Sequence, residues 1–357
     1  MTRLPTRDLD HILSRTGELW EDLRGCAIFF TGCTGFVGMW LMESLLCAND
    51  KLDLGVSVVG LTRNPERFSE KAPHLAGHPA VRLLRGNIVG FDYPEGQYPF
   101  VIHAATEPRF APDTMNPLGV FSSDAQGTRN VLEFARRAGA RRLLFTSSGA
   151  VYGKQPSQMT HIPEDYTGAP STMNADSAYG QAKRVSEFMC AMYARAYGFD
   201  ATIARLFAFV GPLFPLDANY AVGNFIQDAL RGGPVRVAGD GTPFRSYLYA
   251  ADLAVWLWTI LLRGRPSRPY NVGSSEAITI AHLAQIVAAQ TVAQHTDAMA
   301  IAGEPVLGAP VERYVPSTRR AEAELGLQQW IDLNEGVRRT LEWYRTNDSR
   351  ATRPAAP

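Results

Sequence analysis

The sequence predicts an α/β protein with a doubly wound parallel sheet and a smaller α/β lobe towards its C-terminus. Three observations support this prediction. Short apolar runs alternate with helical patterns up to residue 206, as expected for βαβ units with right-handed crossovers. A glycine-rich turn follows the first apolar run. After residue 207, prolines break the chain into shorter segments that have strand and helix patterns in turn.

The individual segments follow from hydrophobic periodicity and from glycine and proline positions. The strands expected in the sheet are Cys26–Thr31, Val56–Leu61, Val81–Leu84, Phe100–Ala104, Arg142–Thr146 and Ala201–Leu206. The expected helices are Phe36–Cys47, Asn116–Ala138, Ser177–Tyr197, Asn224–Arg231, Asp252–Leu262, Ile280–Gln290 and Asn334–Arg345. An amphipathic helix over residues 7–23 is expected ahead of the first strand, because leucines and Ile12 recur there near helical spacing.

The composition argues against several classes of protein. Of the 357 residues, 46% are apolar and 20% charged, as in an ordinary globular protein. Lys plus Arg and Asp plus Glu both number 35, so we expect no nucleic-acid partner and no attraction to a membrane surface. The longest apolar stretch, residues 250–262, contains Asp252 and is too short to span a bilayer.

The cysteines suggest a reducing compartment. The sequence has four of them, Cys26, Cys33, Cys47 and Cys190. No two form a Cys-x-x-Cys pair, and no Cys/His cluster has the spacing of a zinc site. We therefore expect reduced thiols, a cytoplasmic protein and no bound metal.

The turn after the first strand carries three glycines in the spacing G-x-x-G-x-x-G. Gly32 permits a tight turn, Gly35 lets the backbone approach a pyrophosphate, and Gly38 lets the helix pack against the strand. The N-terminus of that helix offers N–H groups to a phosphate. We therefore expect a nicotinamide dinucleotide here, held by Gly32, Thr34, Gly35, Phe36, Val37 and Gly38.

The end of the second strand bears on the choice between NAD and NADP. In this fold an acidic residue there binds the ribose 2′-hydroxyl of NAD. The sequence has no carboxylate at this place and has Arg63 instead, which suits a 2′-phosphate. The cofactor is therefore expected to be NAD(P), with a preference for NADP. The alternative is that Arg63 is a solvated loop residue and that NAD is used.

Three further side chains predict chemistry on an alcohol. Tyr179 and Lys183 are four residues apart on an expected helix, so they share a face. A phenol alone is a poor base at neutral pH, and a neighbouring ammonium favours its phenolate. Ser148 follows the fifth strand, and its hydroxyl can orient a carbinol while Tyr179 takes the proton and the cofactor takes the hydride.

With these residues placed, residues 25–345 resemble the extended short-chain dehydrogenases/reductases, in particular the NAD(P)-dependent nucleotide-sugar epimerases and dehydratases. The segments that carry the resemblance are Thr31–Gly38, Gly86–Ile88, His103–Ala105, Gly127–Leu132, Ser147–Gly153, Tyr179–Lys183, Arg205–Pro212 and Gly239–Asp252. The resemblance implies a Rossmann-type fold and divides the chain into a helical extension (1–24), a dinucleotide-binding domain (25–206), a mainly substrate-binding lobe (207–346) and a flexible tail (347–357).

The resemblance also implies roles for single residues. Ser148, Tyr179 and Lys183 would be catalytic. The further cofactor contacts would be Arg63, Asn87, Ile88, Ala104 and Ala105, together with Tyr179 and Lys183, and Lys183 could donate to ribose hydroxyls. The substrate contacts would be Thr106, Glu107, Ser148, Asn224 and Arg245, with Arg245 at the diphosphate and Arg313 as a candidate for the second arginine there. His103 would be structural, and helices 116–138 and 177–197 would form the four-helix bundle of a homodimer.

Departures from the family pattern narrow the reaction. Relatives that eliminate water, and the related decarboxylases, usually carry an acid just after the active-site serine or threonine, where this sequence has Gly149 and Ala150. The leading interpretation is therefore an epimerase that acts through a transient keto sugar. The alternatives are an NADPH-dependent 4-ketosugar reductase, a 4,6-dehydratase if Glu107 supplies the missing acid, and a non-catalytic dinucleotide-binding protein.

Overall fold

The computed structural model of the chain describes residues 3–106, 116–218, 220–291, 298–306 and 308–347. Its strands are β1 (Ala27–Thr31), β2 (Ser57–Thr62), β3 (Val81–Arg85), β4 (Phe100–His103), β5 (Arg142–Ser148), β6 (Asp200–Leu206), β7 (Phe209–Val210), β8 (Val235–Val237), β9 (Phe244–Arg245), β10 (Leu248–Tyr249), β11 (Pro269–Val272), β12 (Ile278–Thr279), β13 (Met299–Ile301) and β14 (Arg313–Tyr314).

The α-helices lie between these strands and on both sides of them. They are α1 (Thr6–Thr16), α2 (Phe36–Leu52), α3 (Pro65–Lys71), α4 (Pro73–Ala76), α5 (Pro117–Arg137), α6 (Ala178–Tyr197), α7 (Ala221–Leu230), α8 (Ala250–Arg263), α9 (Ile280–Ala288), α10 (Arg319–Leu325) and α11 (Leu333–Asn347). Short 3₁₀ helices cover Gly17–Leu23, Gly149–Tyr152 and Ala175–Ser177. No helix in the described ranges is long and apolar enough to cross a membrane.

Within the described residues, the main sheet has seven parallel strands in the order β11-β6-β5-β4-β1-β2-β3. The chain runs outwards from β1 to β3 and then crosses to β4, on the other side of β1. The carboxyl ends of β1 and β4 are therefore neighbours, with Thr31 opposite His103. An open sheet presents its ligand crevice at such a reversal, and the predicted doubly wound fold is confirmed.

Helices cover both faces of this sheet. Apolar residues of α5 and α6 form the core on one face, and those of α2 and α8 form the core on the other. Because both faces are covered, the central strand β1 is apolar without alternation; its Ile28, Phe29 and Phe30 are all fully buried. The long apolar stretch at 250–262 is α8, which is buried along its whole length beneath α1 and α2.

Several segments differ from the sequence prediction. The amphipathic pattern over residues 7–23 divides at Gly17 into α1 and a 3₁₀ helix, since glycine is a poor residue for a helix interior. Helix α7 begins at Ala221 rather than at Asn224, because Val222 already belongs to its buried face. Strand β5 continues to Ser148, two residues beyond the predicted end.

The chain after residue 207 contributes to both parts of the fold. It forms the small sheets β10-β7, β12-β9-β14 and β13-β8, and it also supplies β11, the edge strand of the main sheet. Helix α1 is fixed to this part of the chain through Asp8, whose carboxylate accepts hydrogen bonds from Tyr249 Oη and Arg339 Nη1, both at 2.7 Å. Burial raises the pKa of Asp8, and its hydrogen bonds with Tyr249 and Arg339 oppose that rise.

Candidate functional site

The glycine turn between β1 and α2 is fixed by contacts between backbones. Gly32 has a φ of +77°, and a Cβ there would lie 2.4 Å from the carbonyl carbon of Ala104. A Cβ on Gly38 would lie 2.1 Å from the carbonyl oxygen of Gly32, whereas one on Gly35 would be 3.5 Å from that same oxygen. The fold therefore requires glycine at positions 32 and 38, because backbone atoms pack against both. The surface at Gly35 stays open to a ligand.

His103 is buried at the end of β4, beside the crevice at the carboxyl ends of β1 and β4. Its Nδ1 lies 2.8 Å from Thr31 Oγ1 of β1, and its Nε2 lies 3.1 Å from Thr128 Oγ1 of α5. Burial lowers the pKa of this imidazole to about 3, and the nearby Lys183 ammonium acts in the same direction. His103 is therefore neutral at physiological pH and joins β1, β4 and α5, as a structural residue would.

The remaining residues proposed for the cofactor line the same edge of the sheet. Ala104 and Ala105 follow β4, and their backbone N–H groups donate to Thr31 O and Thr31 Oγ1. Ile88 lies against Gly127 of α5, where a Cβ would be 2.5 Å from Ile88 Cδ1. Asn87 Oδ1 accepts from Val89 N at 3.2 Å, which orders the turn after β3.

Arg63 follows β2 directly, ahead of α3, and its side chain is exposed. Thr34, Phe36 and Val37 form the turn and the first turn of α2, whose N–H groups point towards this edge of the sheet. An NAD(P) pyrophosphate fits this cradle, because the open surface at Gly35 and the N-terminus of a 17-residue helix are what such a group requires.

Ser148 and Lys183 are brought together where β5 ends. Ser148 Oγ accepts from Ala150 N at 3.1 Å, which leaves its own proton available for a substrate oxygen. Lys183 is almost fully buried, and its Nζ donates to Thr146 O at 3.2 Å. The ammonium therefore lies beside the last residues of the strand that carries Ser148.

Tyr179 lies in the first turn of α6, with Lys183 Nζ 5.6 Å from its ring centroid. The start of α6 packs closely on the 3₁₀ helix that follows Ser148: a Cβ on Gly180 would be 2.7 Å from Ala150 O. The structure thus gathers Ser148, Tyr179 and Lys183 around one end of β5.

The space beside Gly149 is filled by side chains from distant parts of the sequence. A Cβ on Gly149 would lie 2.6 Å from Tyr314 Oη and 2.8 Å from Phe207 Cζ. The Phe207 and Tyr314 rings pack at a centroid distance of 4.7 Å. The space that an acidic side chain next to Ser148 would use is therefore filled by a phenol and a phenyl ring.

Arg245 lies next to this phenol in the small sheet β12-β9-β14. In the parallel pair β9–β14, Arg245 is opposite Tyr314. Its Nη2 donates to Glu312 Oε1 at 2.5 Å, and Glu312 is more than half exposed. The neighbouring Arg313 lies over the Phe244 ring at 4.3 Å. By strand alternation, Arg245 shares the face of this small sheet that carries Tyr314, and Arg313 lies on the other face.

Other residues named from the sequence are placed less centrally. Thr106 follows β4, and its hydroxyl donates to Asp124 Oδ2 at 2.8 Å. Asn224 is exposed in the first turn of α7 and does not begin that helix. Glu107 and Arg109 lie outside the described residues. No cluster of three or more metal-ligating side chains occurs in the ranges that the structure describes.

Sequence reasoning missed two acids behind the site, of which Asp124 is buried and Glu187 is partly buried. Asp124 accepts from Thr106 and lies 3.7 Å from Lys183 Nζ. Glu187 accepts from Ser147 Oγ at 2.5 Å and forms a bidentate pair with Arg205. A signal for each was present: Asp124 lies four residues before the buried Thr128 on the inner stripe of α5, and Glu187 is one turn after Lys183.

Comparison with known proteins shows which family the chain is similar to. The NAD dependent epimerase/dehydratase family matches residues 28–273. UDP-glucuronic acid decarboxylase 1 of Danio rerio is 30% identical over 89% of this chain and 72% of that protein. The UDP-glucose 4-epimerase of Thermotoga maritima, solved with UDP-glucose, is 22% identical with a TM-score of 0.73 over 90% of this chain and 99% of that one.

A third similar protein is DesIV of Streptomyces venezuelae, a dTDP-glucose 4,6-dehydratase solved with NAD and TYD bound. It is 24% identical, with a TM-score of 0.75 over 90% of this chain and 97% of that one. These solved structures support the fold, and the family match extends over more than half of the chain. The chain therefore belongs to the NAD dependent epimerase/dehydratase family.

Proposed function

We propose that this protein is a nucleotide-sugar epimerase that acts through a transient keto sugar. The observation that carries the proposal is the end of β5, where Ser148, Tyr179 and Lys183 meet and the adjacent position 149 is filled by Tyr314 and Phe207. This set can move a proton from a sugar hydroxyl, and it has no carboxylate at position 149 or 150 for a second proton transfer at the neighbouring carbon.

Each side chain of the site has a separate role in the proposed reaction. Ser148 Oγ, held by Ala150 N, donates to the reacting sugar oxygen and orients it. Tyr179 takes the proton of that hydroxyl and later returns it, while Lys183 holds a positive charge beside the phenol. When bound, the nicotinamide would supply the acceptor and donor of hydride. Arg245 would hold the diphosphate in place of Glu312.

The filled space at Gly149 supports epimerisation over the reactions of two relatives. A dehydratase must protonate the departing hydroxyl, and a decarboxylase must place a proton on the carbon that has lost CO₂. Relatives that do this usually hold an acid after the active-site serine or threonine. Tyr314 Oη would lie 2.6 Å from a Cβ of residue 149, so an acid there would require the Tyr314 ring to move, and position 150 is an alanine.

The experiment is proton NMR of the protein with UDP-, TDP-, CDP- and GDP-sugars, UDP-glucuronate included, with and without NADPH. A new sugar without net cofactor oxidation supports the proposal. Loss of the C6 hydroxyl or of CO₂ would overturn it in favour of a dehydratase or a decarboxylase. Tyr179→Phe is the control: it should reduce turnover by about 10²-fold or more while cofactor still binds. If the unaltered protein binds cofactor and converts no nucleotide sugar, a non-catalytic role is favoured.

Arg63 supports a second candidate, an NADPH-dependent 4-ketosugar reductase. The family is NAD dependent by description, yet this chain has an exposed arginine and no acid where β2 ends. An arginine suits a 2′-phosphate, and NADPH is the usual reductant in biosynthesis. Product that forms only as NADPH is consumed would support the reductase.

We also propose a homodimer formed through α5 and α6, which pack against one another. On α6, Val185, Phe188 and Met192 follow one face at helical spacing, and Phe188 is 64% exposed. Burying this stripe against the same helices of a second copy would remove it from water. Phe188→Asp should give a monomer in analytical ultracentrifugation, while the exposed Met173→Asp should leave the mass unchanged.

The four thiols fit the cytoplasmic location expected from the sequence. None of the cysteines forms a disulfide. Cys33 and Cys190 are buried, and burial raises the pKa of the Cys33 thiol to about 12. Such thiols stay protonated and unreactive at neutral pH.

A further inference from the structure

The catalytic ammonium of Lys183 has a carboxylate partner within the protein. Lys183 Nζ lies 3.7 Å from Asp124 Oδ2, and both side chains are at most 2% exposed. Burial of this kind weakens screening by solvent, so each charge acts strongly on its neighbours. Any electrostatic effect of Lys183 on Tyr179 therefore depends on whether Asp124 is charged.

Asp124 is itself held in position. Thr106 Oγ1 donates to both of its carboxylate oxygens, at 3.1 and 2.8 Å. Thr106 follows β4 directly, while Asp124 belongs to α5 and Lys183 to α6. The carboxylate thus connects the catalytic helix to the strand end where substrate is expected, and the Thr106 oxygen can still accept from a sugar hydroxyl.

Other groups around Lys183 do not replace this charge. His103 is neutral, because burial lowers its pKa to about 3. Burial raises the pKa of the Cys190 thiol, so that group is also neutral. Glu187 is paired with Arg205, which also donates to Tyr152 Oη. Tyr179 also faces the ammonium, with Lys183 Nζ 5.6 Å from its ring centroid.

We propose that Asp124 is a positioning residue that holds Lys183 against the end of β5 and balances its charge, and so sets the pH at which Tyr179 gives up its proton. The inference rests on the proposed function, in which that phenol moves the proton. A neutral residue at 124 would leave the ammonium uncompensated. The phenolate would then form at lower pH, and the buried lysine would lose its own proton more readily.

The test compares the unaltered protein with Asp124→Asn, which keeps shape and can still accept from Thr106. Two measurements are made on the NAD-loaded protein. The first is the pH profile of kcat, where both limbs should move to lower pH by about one unit. The second is a near-ultraviolet titration of phenolate, with the signal of Tyr179 isolated by subtracting the same trace from Tyr179→Phe in each background. Its midpoint should fall by a similar amount.

The matched control is Thr106→Val, which removes the hydrogen bond to Asp124 and keeps the carboxylate; its midpoint should move by less than that of Asp124→Asn. An Asp124→Asn variant that loses activity equally at every pH, with the phenolate midpoint unchanged, would reduce Asp124 to a packing role and overturn the inference. The titration needs no substrate. Failure of the proposed function, seen as no turnover by the unaltered protein, is therefore distinguishable from failure of this inference.

Discussion

The proposed cofactor half of the site, at the turn between β1 and α2, and its proposed substrate half, at the end of β5, both depend on glycine, for different reasons. At Gly32 and Gly38 an added Cβ would meet backbone atoms, at 2.4 and 2.1 Å. At Gly149 it would meet the ends of two side chains, Tyr314 and Phe207. The backbone atoms near Gly32 and Gly38 cannot move without a change in the path of the chain. The side chains near Gly149 can be replaced by mutation. The cofactor half is thus determined by the path of the chain, whereas the substrate half is determined by side-chain choices that another member of the family can make differently.

The largest expected effect tests the backbone-determined half. Gly38→Ala places a methyl group 2.1 Å from Gly32 O, so we expect a loss of about 3 kcal/mol or more in the free energy of unfolding. Gly35→Ala is the matched control, since its Cβ would be at ordinary contact distance, 3.5 Å, from the same oxygen. Gly35→Ala should unfold at the same temperature as the unaltered protein and bind NAD(P) more weakly than it does. Equal thermal stability of the two variants would contradict this account of the turn.

His103 should make the cofactor half sensitive to acid. Its pKa is about 3 in the folded protein against an ordinary 6.5, so the unfolded chain binds a proton first as pH falls. The stability that the neutral imidazole contributes is full above about pH 6.5 and is lost progressively towards pH 3, by about 2 kcal/mol at pH 5. Denaturant unfolding at several pH values should therefore show a flatter profile for His103→Gln. Parallel profiles of unfolding free energy against pH for the unaltered protein and His103→Gln would contradict this role of His103.

A smaller effect tests the substrate half. Gly149→Ala brings a methyl group 2.6 Å from Tyr314 Oη, and because that side chain can move, we expect a cost of about 1–2 kcal/mol. Repeating the change in a Tyr314→Phe background removes the nearest contact, so the two changes should couple by about 1 kcal/mol in a double-mutant cycle of unfolding free energies. Additive costs would mean that Tyr314 does not limit this position.

The smallest effect concerns Arg63, the cofactor contact proposed at the end of β2. Arg63→Ser should weaken NADP binding by about tenfold, the value of one charge-assisted hydrogen bond, and leave NAD binding nearly unchanged. Isothermal titration with each cofactor measures both. A variant that loses affinity for the two cofactors alike would show that Arg63 does not read the 2′-phosphate.

What the sequence could predict depends on how local the signal is. The glycine turn and the Tyr179–Lys183 pair lie within single segments, so their spacing was enough to find them. Tyr314 meets Gly149 only because β14 pairs with β9 beside the end of β5, and no spacing in the sequence records that meeting. Asp124 lies between these cases: its place on the buried stripe of α5 was readable, and its partner on α6 was not.

The order of elements along the chain has a consequence for biosynthesis. A ribosome that has just made β6 has produced every predicted catalytic residue, yet β11, α8 and α11 are still to come. Until then the outer edge of β6 is unpaired, the α2 face of the sheet lacks α8, and Asp8 lacks both Tyr249 and Arg339. The growing polypeptide therefore exposes part of the apolar α2 face until α8 has been made, and we expect aggregation to compete with folding over that interval.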